Sequence, residues 1–234
     1  MVEELDLKTY LWISSNEFRI YLFNKKNLKN LYLDQIKFDN KENYIDFQRL
    51  DKFLADNIFK IEKLAGNFIK NISLLIKNNK TNQINFGIKK KNYEKFINKK
   101  LLENILIDAK DLFRENYQNH LIMHILISRY FENNRYHLSF SEEFSGDYLC
   151  VEVEFKYISR NFIFEINKVL RKYEVELADC LDVNYIENYF AGESIDHPEM
   201  VYKIQSGINE NEVKLINKDY KKKGFFEKFF QLFG

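Results

Sequence analysis

Residues 9–14 (Thr-Tyr-Leu-Trp-Ile-Ser) and 18–23 (Phe-Arg-Ile-Tyr-Leu-Phe) are the two apolar runs that decide the fold of this chain. A turn at Ser15-Asn16 separates them, and a third run with alternating leucines follows at residues 28–38. Short runs rich in aromatic and β-branched residues, bounded by polar turns, are typical of β-strands. The chain is therefore predicted to begin with a β-meander.

A long helix is predicted after the meander. From Phe47 to Ala65 apolar residues recur every three or four positions, Asp46 precedes them as an N-cap, and Gly66 follows as a stop. This spacing places the apolar side chains on one helical face.

Strands and helices alternate in the next part of the chain, which predicts an α+β fold with α/β-like element order. The predicted elements are a hairpin of residues 71–77 and 83–88, a helix at 92–116, strands at 120–131, 135–140 and 147–157, a helix at 159–173 and a strand at 175–185. From Phe190 the pattern weakens, and residues 191–223 are predicted to be a linker with weak structure. Within it, Asp196-His197-Pro198 is interpreted as a break, and residues 200–206 as a short helix or a strand.

Composition limits the class of protein. The 234 residues are 45% hydrophobic and 30% charged with a net charge of +1, which is a globular composition without the basic field that nucleic-acid binding needs. Two cysteines, Cys150 and Cys180, form no disulfide framework, and the acidic N-terminus does not resemble a signal peptide. No run reaches the roughly 18 apolar residues of a spanning helix. We expect a cytoplasmic protein, at most peripheral to a membrane.

No catalytic, metal or cofactor site is predicted. His120 and His124 are four residues apart, but on a strand this spacing separates them by about 13 Å, so they are interpreted as structural histidines. His137 and His197 have no acidic or thiol partner nearby in the sequence, and the chain lacks the glycine-rich phosphate motifs. Lys89-Lys90-Lys91 is a basic cluster that is either the solvated start of a helix or a contact for an acidic partner or lipid head groups.

Residues 224–234 (Gly-Phe-Phe-Glu-Lys-Phe-Phe-Gln-Leu-Phe-Gly) predict a short amphipathic helix. At helical spacing its aromatic residues share one face, and lysines precede it. Such a segment suits a bilayer surface, since rings enter the acyl boundary and lysines meet anionic head groups. The predicted membrane-binding residues are Phe225, Phe226, Phe229, Phe230, Leu232, Phe233, Lys221, Lys222 and Lys223.

Several stretches carry a resemblance to a known family. They are the meander and helix of residues 9–66, the block of residues 71–116, the run of residues 120–125 with Tyr130, residues 146–185 with Gly146, Leu149, Ile163, Ile166 and Leu170, and the tail. In order and apolar pattern they resemble the bacterial cell-division protein FtsA, an actin-like membrane tether. The resemblance implies half of an actin-like fold. It divides the chain into an actin-like first subdomain (1–78), the FtsA-specific inserted subdomain (79–190), a linker (191–223) and a membrane-targeting helix (224–234).

The chain also departs from that family. Where FtsA has a phosphate-binding loop of the form Asp-x-Gly-Thr/Ser, this chain has Trp12-Ile13-Ser14-Ser15-Asn16, and the second glycine-rich motif and the second half of the fold are absent. The departures count against nucleotide binding and ATPase activity. They also count against direct FtsZ binding, because the family's FtsZ-docking surface lies in the missing half.

The resemblance implies a non-catalytic, membrane-associated cell-division adaptor at the inner face of the cytoplasmic membrane, at midcell. Its expected partners are anionic lipid, division or envelope proteins and further copies of itself. The alternative from the residues alone is a soluble interaction domain whose C-terminal helix docks in a protein groove, because helix-in-groove binding uses the same apolar face. An enzyme with an unrecognised site is the third hypothesis, and a converging cluster of perturbed titratable groups would support it.

Overall fold

The structure, a computed structural model, describes residues 6–39, 44–77, 81–94, 96–133, 135–141 and 143–214. These residues form two compact units. Unit 1 extends to Thr81 and resumes from Ile158 to Ile208, whereas unit 2 contains residues from Asn82 to Tyr157 and from Asn209 onward. Two sheets and five helices within the described residues confirm the predicted α+β class.

The elements follow one another as β1 (Leu7–Ser14), β2 (Glu17–Asn24), β3 (Lys29–Lys37), α1 (Phe47–Ala65), β4 (Asn71–Lys77), β5 (Asn82–Lys91), α2 (Lys99–Asn116), β6 (His120–Glu132), β7 (Arg135–His137), β8 (Tyr148–Ser159), α3 (Arg160–Arg171), β9 (Glu176–Asp182), α4 (Val183–Tyr189) and α5 (His197–Ser206). The predicted meander is β1 to β3, and the predicted first helix is α1. Asp46 caps α1 by accepting from the Arg49 amide, and Gly66 ends it in the left-handed conformation at φ 71°.

The sheet of unit 1 has the strand order β3-β2-β1-β4-β9. β1, β2 and β3 are antiparallel neighbours, whereas β4 lies parallel to both β1 and β9. The five residues from Ile72 to Ile76 are completely buried. A continuous apolar run of this kind is typical of a central parallel strand that is covered on both faces.

Helices cover both faces of this sheet. Phe18 of β2 contacts Phe53 of α1, whereas the next residue, Arg19, contacts Trp12, which in turn contacts His197 of α5. Successive side chains of a strand point to opposite faces, so α1 and α5 lie on opposite sides of the sheet. The α5 side is also held by Gln205, whose Nε2 donates to Asp179 Oδ2 at 2.7 Å.

Unit 2 is a four-stranded sheet with α2 packed on one face. The strand order is β5-β8-β6-β7, and β5 pairs antiparallel with β8. Phe113 of α2 stacks on Phe155 of β8 with ring centroids 5.0 Å apart. On β8 the alternation predicted from the sequence is present, because Val151, Val153 and Phe155 are completely buried.

A short segment of residues 211–213 completes the edge of this sheet beside β6. The Ile127 amide donates to Asn211 O, and the Val213 amide donates to Ile125 O, both at 2.8 Å. Val213 is 3% exposed and belongs to the core of unit 2. The described chain therefore returns to unit 2 just before Lys214.

Several predictions were wrong. β4 and β5 do not form a hairpin, because β4 pairs in the sheet of unit 1 and β5 in that of unit 2. The predicted strand 175–185 ends at Asp182, whose side chain accepts from the Asn184 amide and caps α4. Helix α2 begins at Lys99 rather than near residue 92.

Residues 191–214 are more ordered than the predicted linker. The predicted break at Asp196-His197-Pro198 is the start of α5: Asp196 accepts from the Glu199 amide, and Pro198 lies in the first turn. Proline is tolerated there because its missing N–H has no helical partner in any case. Residues 158–190, assigned from the sequence to the inserted subdomain, lie in unit 1.

Candidate functional site

The turn between β1 and β2 lies where the resemblance places a phosphate-binding loop. It follows the carboxyl end of β1, beside the carboxyl end of the parallel strand β4, and this edge of an open sheet is where ligands commonly bind. The Ser14 hydroxyl is within hydrogen-bond distance of Asn16 Oδ1 (3.0 Å) and of Glu17 O (3.1 Å). Its polar group is thus engaged within the turn itself.

Trp12 is the centre of this site and is only 2% exposed. The His197 imidazole lies edge-on to the indole with ring centroids 4.4 Å apart. Arg19 Cζ lies 4.8 Å and Lys77 Nζ 5.6 Å from the indole centroid, which is within the range of cation–π attraction. Among the described residues the buried indole Nε1 has no hydrogen-bond partner.

The charged groups around Trp12 face one another in opposite-charge pairs. Arg19 Nη2 lies 2.7 Å from Glu17 Oε2, and Lys77 Nζ lies 2.9 Å from Glu187 Oε2. Glu187 Oε1 is also 3.0 Å from His197 Nε2. His197 thus has an acidic partner in the fold, which its sequence spacing did not indicate because Glu187 lies ten residues away.

Pairing sets the electrostatics of the two carboxylates. Burial raises the pKa of Glu187, but hydrogen bonds from Lys77 and His197 outweigh it and hold the pKa below its ordinary value. The pKa of Glu17 is lowered in the same way, since burial is outweighed by Arg19. The hydrogen bond to Glu17 in turn raises the pKa of Arg19. Both carboxylates are held ionised. Each neutralises a cation that would otherwise attract a phosphate group.

This arrangement, which we call the Trp12 cluster (Trp12, Glu17, Arg19, Lys77, Glu187 and His197), joins α4 and α5 to β1, β2 and β4. A phosphate cradle needs backbone amides and uncompensated positive charge that point into an open space. Here a tryptophan side chain fills the centre, and the cations already contact carboxylates. The cluster can therefore stabilise the packing of α5, and its charges are balanced.

Metal binding and thiol catalysis find little support in the described part of the chain. There, no group of three or more His, Cys, Asp or Glu side chains is placed to hold a metal ion. Burial raises the pKa of the thiols of Cys150 and Cys180, which disfavours the nucleophilic thiolate. The predicted strand around His124 is β6, and His124 Nδ1 contacts Glu212 Oε1 at 2.6 Å inside unit 2.

The predicted membrane-binding residues, Lys221 to Lys223 and the aromatic residues from Phe225 to Phe233, lie outside the described residues. Within the described part of the chain, no helix is long and apolar enough to cross a membrane.

Sequence reasoning missed α4 and α5 as parts of the site. Glu187 and His197 are distant from Trp12 in the sequence, so spacing alone does not connect them. A signal for α5 was present, however: Asp196, followed three residues later by Glu199, has the spacing of a capping box, and Pro198 suits a first turn.

An exposed aliphatic edge is the second surface feature of unit 1. β3 is the outermost strand next to β2, and three of its apolar side chains are substantially exposed: Leu31 at 40%, Leu33 at 51% and Ile36 at 39%. The edge strand of a sheet offers backbone groups to a further strand, and apolar side chains add contact area.

Comparison with known proteins gives similarity at the level of structure only. No family model matches the chain, and no curated protein matches it. The similar solved structures include a PilM-PilN type IV pilus biogenesis complex, at 11% identity and a TM-score of 0.47, with 78% of this chain covered. A Bacteroides thetaiotaomicron protein described as having an actin-like ATPase fold matches at 12% identity and a TM-score of 0.37, with 81% covered.

The cytoplasmic domain of EpsL, an inner membrane component of the type II secretion system of Vibrio cholerae, is also similar, at 10% identity and a TM-score of 0.34 over 76% of this chain. The chain spans 49%, 58% and 56% of the length of these three structures, respectively. None of the three is described as an FtsA.

Proposed function

We propose that the chain is a non-catalytic, membrane-associated adaptor of the FtsA type. Residues 224–234 would anchor it to anionic lipid at the inner face of the cytoplasmic membrane, and its folded units would recruit division or envelope proteins there. The support for the anchor is the sequence of the tail, in which six apolar residues follow three consecutive lysines.

The proposal that the adaptor is non-catalytic rests on the Trp12 cluster. A phosphate-binding loop binds through exposed backbone amides, whereas this turn is followed by a strand whose Arg19 is paired with Glu17 and packed on Trp12. The N-terminus of α5 covers the same position through His197. A nucleotide would have to displace a buried indole and separate two ion pairs.

The exposed edge of β3 supports the adaptor part. A partner strand added beside β3 would satisfy its outer backbone groups and cover Leu31, Leu33 and Ile36. The β2–β3 pairing has a register shift at Leu31, and beyond it Leu33 and Ile36 are exposed aliphatic side chains of a kind that promotes association at an edge strand.

Localisation in the native cells tests the proposal. The chain is labelled at its N-terminus with a fluorescent protein, so that the tail stays free. We expect a midcell band for the wild type, a diffuse cytosolic signal after deletion of residues 224–234, and a uniform membrane signal for Leu33→Lys. The matched control is Leu138→Lys in unit 2, whose leucine is 67% exposed and should tolerate the change. A cytosolic wild type that the deletion does not alter would overturn the anchor.

A second candidate function is a soluble interaction domain whose tail occupies a protein groove. Unit 1 has a cleft of about 820 Å³ beside the start of β1, lined by residues that include Leu7, Ala65 and Phe68. Phe68 is 84% exposed at this cleft, which favours an apolar occupant. Protection of residues 224–234 from protease in the absence of lipid would support this function over membrane anchoring.

A further inference from the structure

The end of β5 in unit 2 carries a basic and aromatic surface that the proposed anchor does not use. Lys89 pairs in register with Cys150, and Lys91 with Tyr148, across the β5–β8 ladder. Lys89 Nζ lies 4.2 Å from the Tyr148 ring centroid, and Lys91 Nζ lies 5.3 Å from that of Tyr93. We call Lys89, Lys91, Tyr93 and Tyr148 the Lys89 surface.

The lysines of the predicted basic cluster differ in what they contact. Lys90 Nζ lies 2.7 Å from Asp108 Oδ2 of α2 and 3.2 Å from Asn104 O, so it ties β5 to the helix. Side chains alternate along a strand, and Lys89 and Lys91 therefore point to the face opposite α2. Their ring contacts there are with Tyr148 and Tyr93, and Glu152 of β8 lies on the same face, opposite Gly87.

The fold of unit 2 leaves the rings of Tyr93 and Tyr148 exposed to solvent. Tyr93 is 86% and Tyr148 43% exposed. The loop that carries Tyr93 is fixed by Asn92, which is 8% exposed: its side-chain amide donates to Glu94 O at 2.7 Å and to Gly146 O at 3.0 Å. Its backbone amide donates to Asp147 O at 2.7 Å. These hydrogen bonds fix Asn92, and the neighbouring Tyr93 presents its ring to solvent, an arrangement that favours binding.

Lysines beside exposed tyrosines match the chemistry of a bilayer interface. Ammonium groups attract anionic head groups, and tyrosine rings prefer the boundary where one end is apolar and the other is wet. An acidic protein would be attracted by the same lysines but would not require two exposed rings beside them.

The position of this surface also favours the membrane. The last described segment, residues 211–213, lies on β6 of the same sheet. Three strand spacings of about 4.8 Å separate that edge from β5, or about 14 Å. The roughly ten residues between Lys214 and the tail span at most about 35 Å in any conformation. A tail held in a bilayer would keep unit 2 within reach of it.

We propose that the Lys89 surface is a second membrane contact, which binds anionic phospholipid head groups through Lys89 and Lys91 and inserts Tyr93 and Tyr148 at the interface. This inference rests on the proposed membrane function and assigns it a site within the folded part of the chain. The tail supplies apolar insertion, and the Lys89 surface supplies orientation, because two separate contacts fix the face that unit 2 turns toward the bilayer.

Vesicle partitioning of the full chain is the first test. Vesicles of phosphatidylcholine alone are compared with vesicles in which about a third of the lipid is phosphatidylglycerol. Each lysine near an anionic bilayer contributes about 1 kcal/mol, and about 1.4 kcal/mol is tenfold, so Lys89→Gln with Lys91→Gln should weaken binding to the anionic vesicles about thirtyfold. The matched control, Lys52→Gln with Lys63→Gln, changes two exposed lysines of α1 and should bind as the wild type does.

A tethered form separates this inference from the function of the tail. The full chain carries a hexahistidine tag after Gly234 and is held on vesicles by a nickel-chelating lipid, so the tail need not bind. Acetylation of lysines is then read by mass spectrometry. We expect Lys89 and Lys91 to be protected on anionic vesicles relative to neutral ones, and Lys52 and Lys63 to be unchanged.

Two results would overturn the second contact. These are equal partitioning of the Lys89/Lys91 variant and the wild type, and equal acetylation of Lys89 and Lys91 on anionic and neutral vesicles. Either result would leave an acidic protein as the class of partner for these lysines. If deletion of residues 224–234 abolishes vesicle binding while the Lys89/Lys91 variant binds as the wild type does, the Lys89 surface is overturned and the anchor stands. Protection in the tethered form, together with vesicle binding that is independent of the tail, would support the surface and overturn the anchor.

Discussion

The His197 imidazole lies edge-on to the Trp12 indole, with ring centroids 4.4 Å apart and ring planes at 71°. This contact joins the first residue of α5 to the first strand of the chain, and Glu187 bonds the same imidazole at 3.0 Å. Trp12 is the only tryptophan in the sequence. Its fluorescence therefore reports directly on the site where the resemblance places a phosphate-binding loop.

Replacing His197 by alanine should loosen α5 from β1. The lost aromatic contact contributes about 0.5–1.5 kcal/mol, and the partly exposed hydrogen bond to Glu187 up to about 1 kcal/mol more, so we expect the free energy of unfolding to fall by about 1–2 kcal/mol. Water then reaches the indole, and its emission maximum should move to longer wavelength. Urea titration followed by fluorescence measures both effects. His137→Ala in unit 2 is the control, and an unchanged emission maximum in His197→Ala would contradict the contact.

Stability should fall in acid through Glu187. Burial raises its pKa, but Lys77 and His197 outweigh that effect and bring the pKa below the ordinary 4.5. A carboxylate with a lowered folded-state pKa contributes stability above its unfolded-state pKa and loses it as the pH falls through the folded-state value. The free energy of unfolding should therefore decrease below about pH 4.5.

Glu187→Gln should flatten this part of the pH profile while lowering stability at neutral pH, because the pairs with Lys77 and His197 are lost. Urea unfolding across the acid range measures the slope. Glu193→Gln, at an exposed position in the same unit, should keep the wild-type slope. A wild-type slope in the Glu187 variant would show that this carboxylate is not the group involved.

The end of α5 depends on a left-handed residue. Gly207 has φ 89°, a conformation that costs about 1 kcal/mol for a residue with a side chain, so Gly207→Ala should lower the free energy of unfolding by about that amount. Gly87 of β5 is the matched control. It has no atom within 4 Å of an added Cβ, and Gly87→Ala should be neutral or slightly stabilising because strand glycines carry an entropic cost.

Glu212 should hold residues 211–213 on unit 2. Its carboxylate contacts the buried His124 at 2.6 Å, and removing one partner of a buried hydrogen bond typically costs about 1–3 kcal/mol. In Glu212→Ala the amides of Ile127 and Val213, which bond across this edge, should exchange hydrogen faster. Glu210→Ala, two residues away and exposed, should leave both amides protected. Equal exchange in the two variants would rule out an anchoring role for Glu212.

Helices and strands whose apolar residues repeat regularly were predicted from the sequence, whereas the pairing of the strands into sheets was not. α1 and β8 have clear repeats of 3.6 and 2, and both lie close to the predicted bounds. β4 was assigned to a hairpin because a polar turn follows it, yet pairing is decided by burial: a strand apolar on both faces belongs in the centre of a covered sheet. A local turn signal does not show which sheet the next strand joins.

The site was predicted only at its centre. Trp12 was identified as standing where the family has a phosphate loop, but its partners Lys77, Glu187 and His197 come from three other elements. Long-range contacts of this kind depend on the sheet order, which a single sequence without a repeat or a metal motif does not reveal. Asp196 and Pro198 did carry a helix-start signal, which was interpreted as a break because proline was weighed without its capping residue.

The return of residues 211–213 to unit 2 sets an order of events on the ribosome. β4 can pair with its neighbour β9 only after about a hundred further residues have been synthesised. The edge of the sheet beside β6 stays unpaired until Val213, near the end of the described chain, has left the ribosome. A nascent chain can therefore finish neither unit early in synthesis. Because Val213 is a core residue and Lys214 follows it directly, a copy that stalls or misfolds would present the following residues from an unfinished unit. The core of unit 2 is therefore complete only when almost all of the described chain has been synthesised.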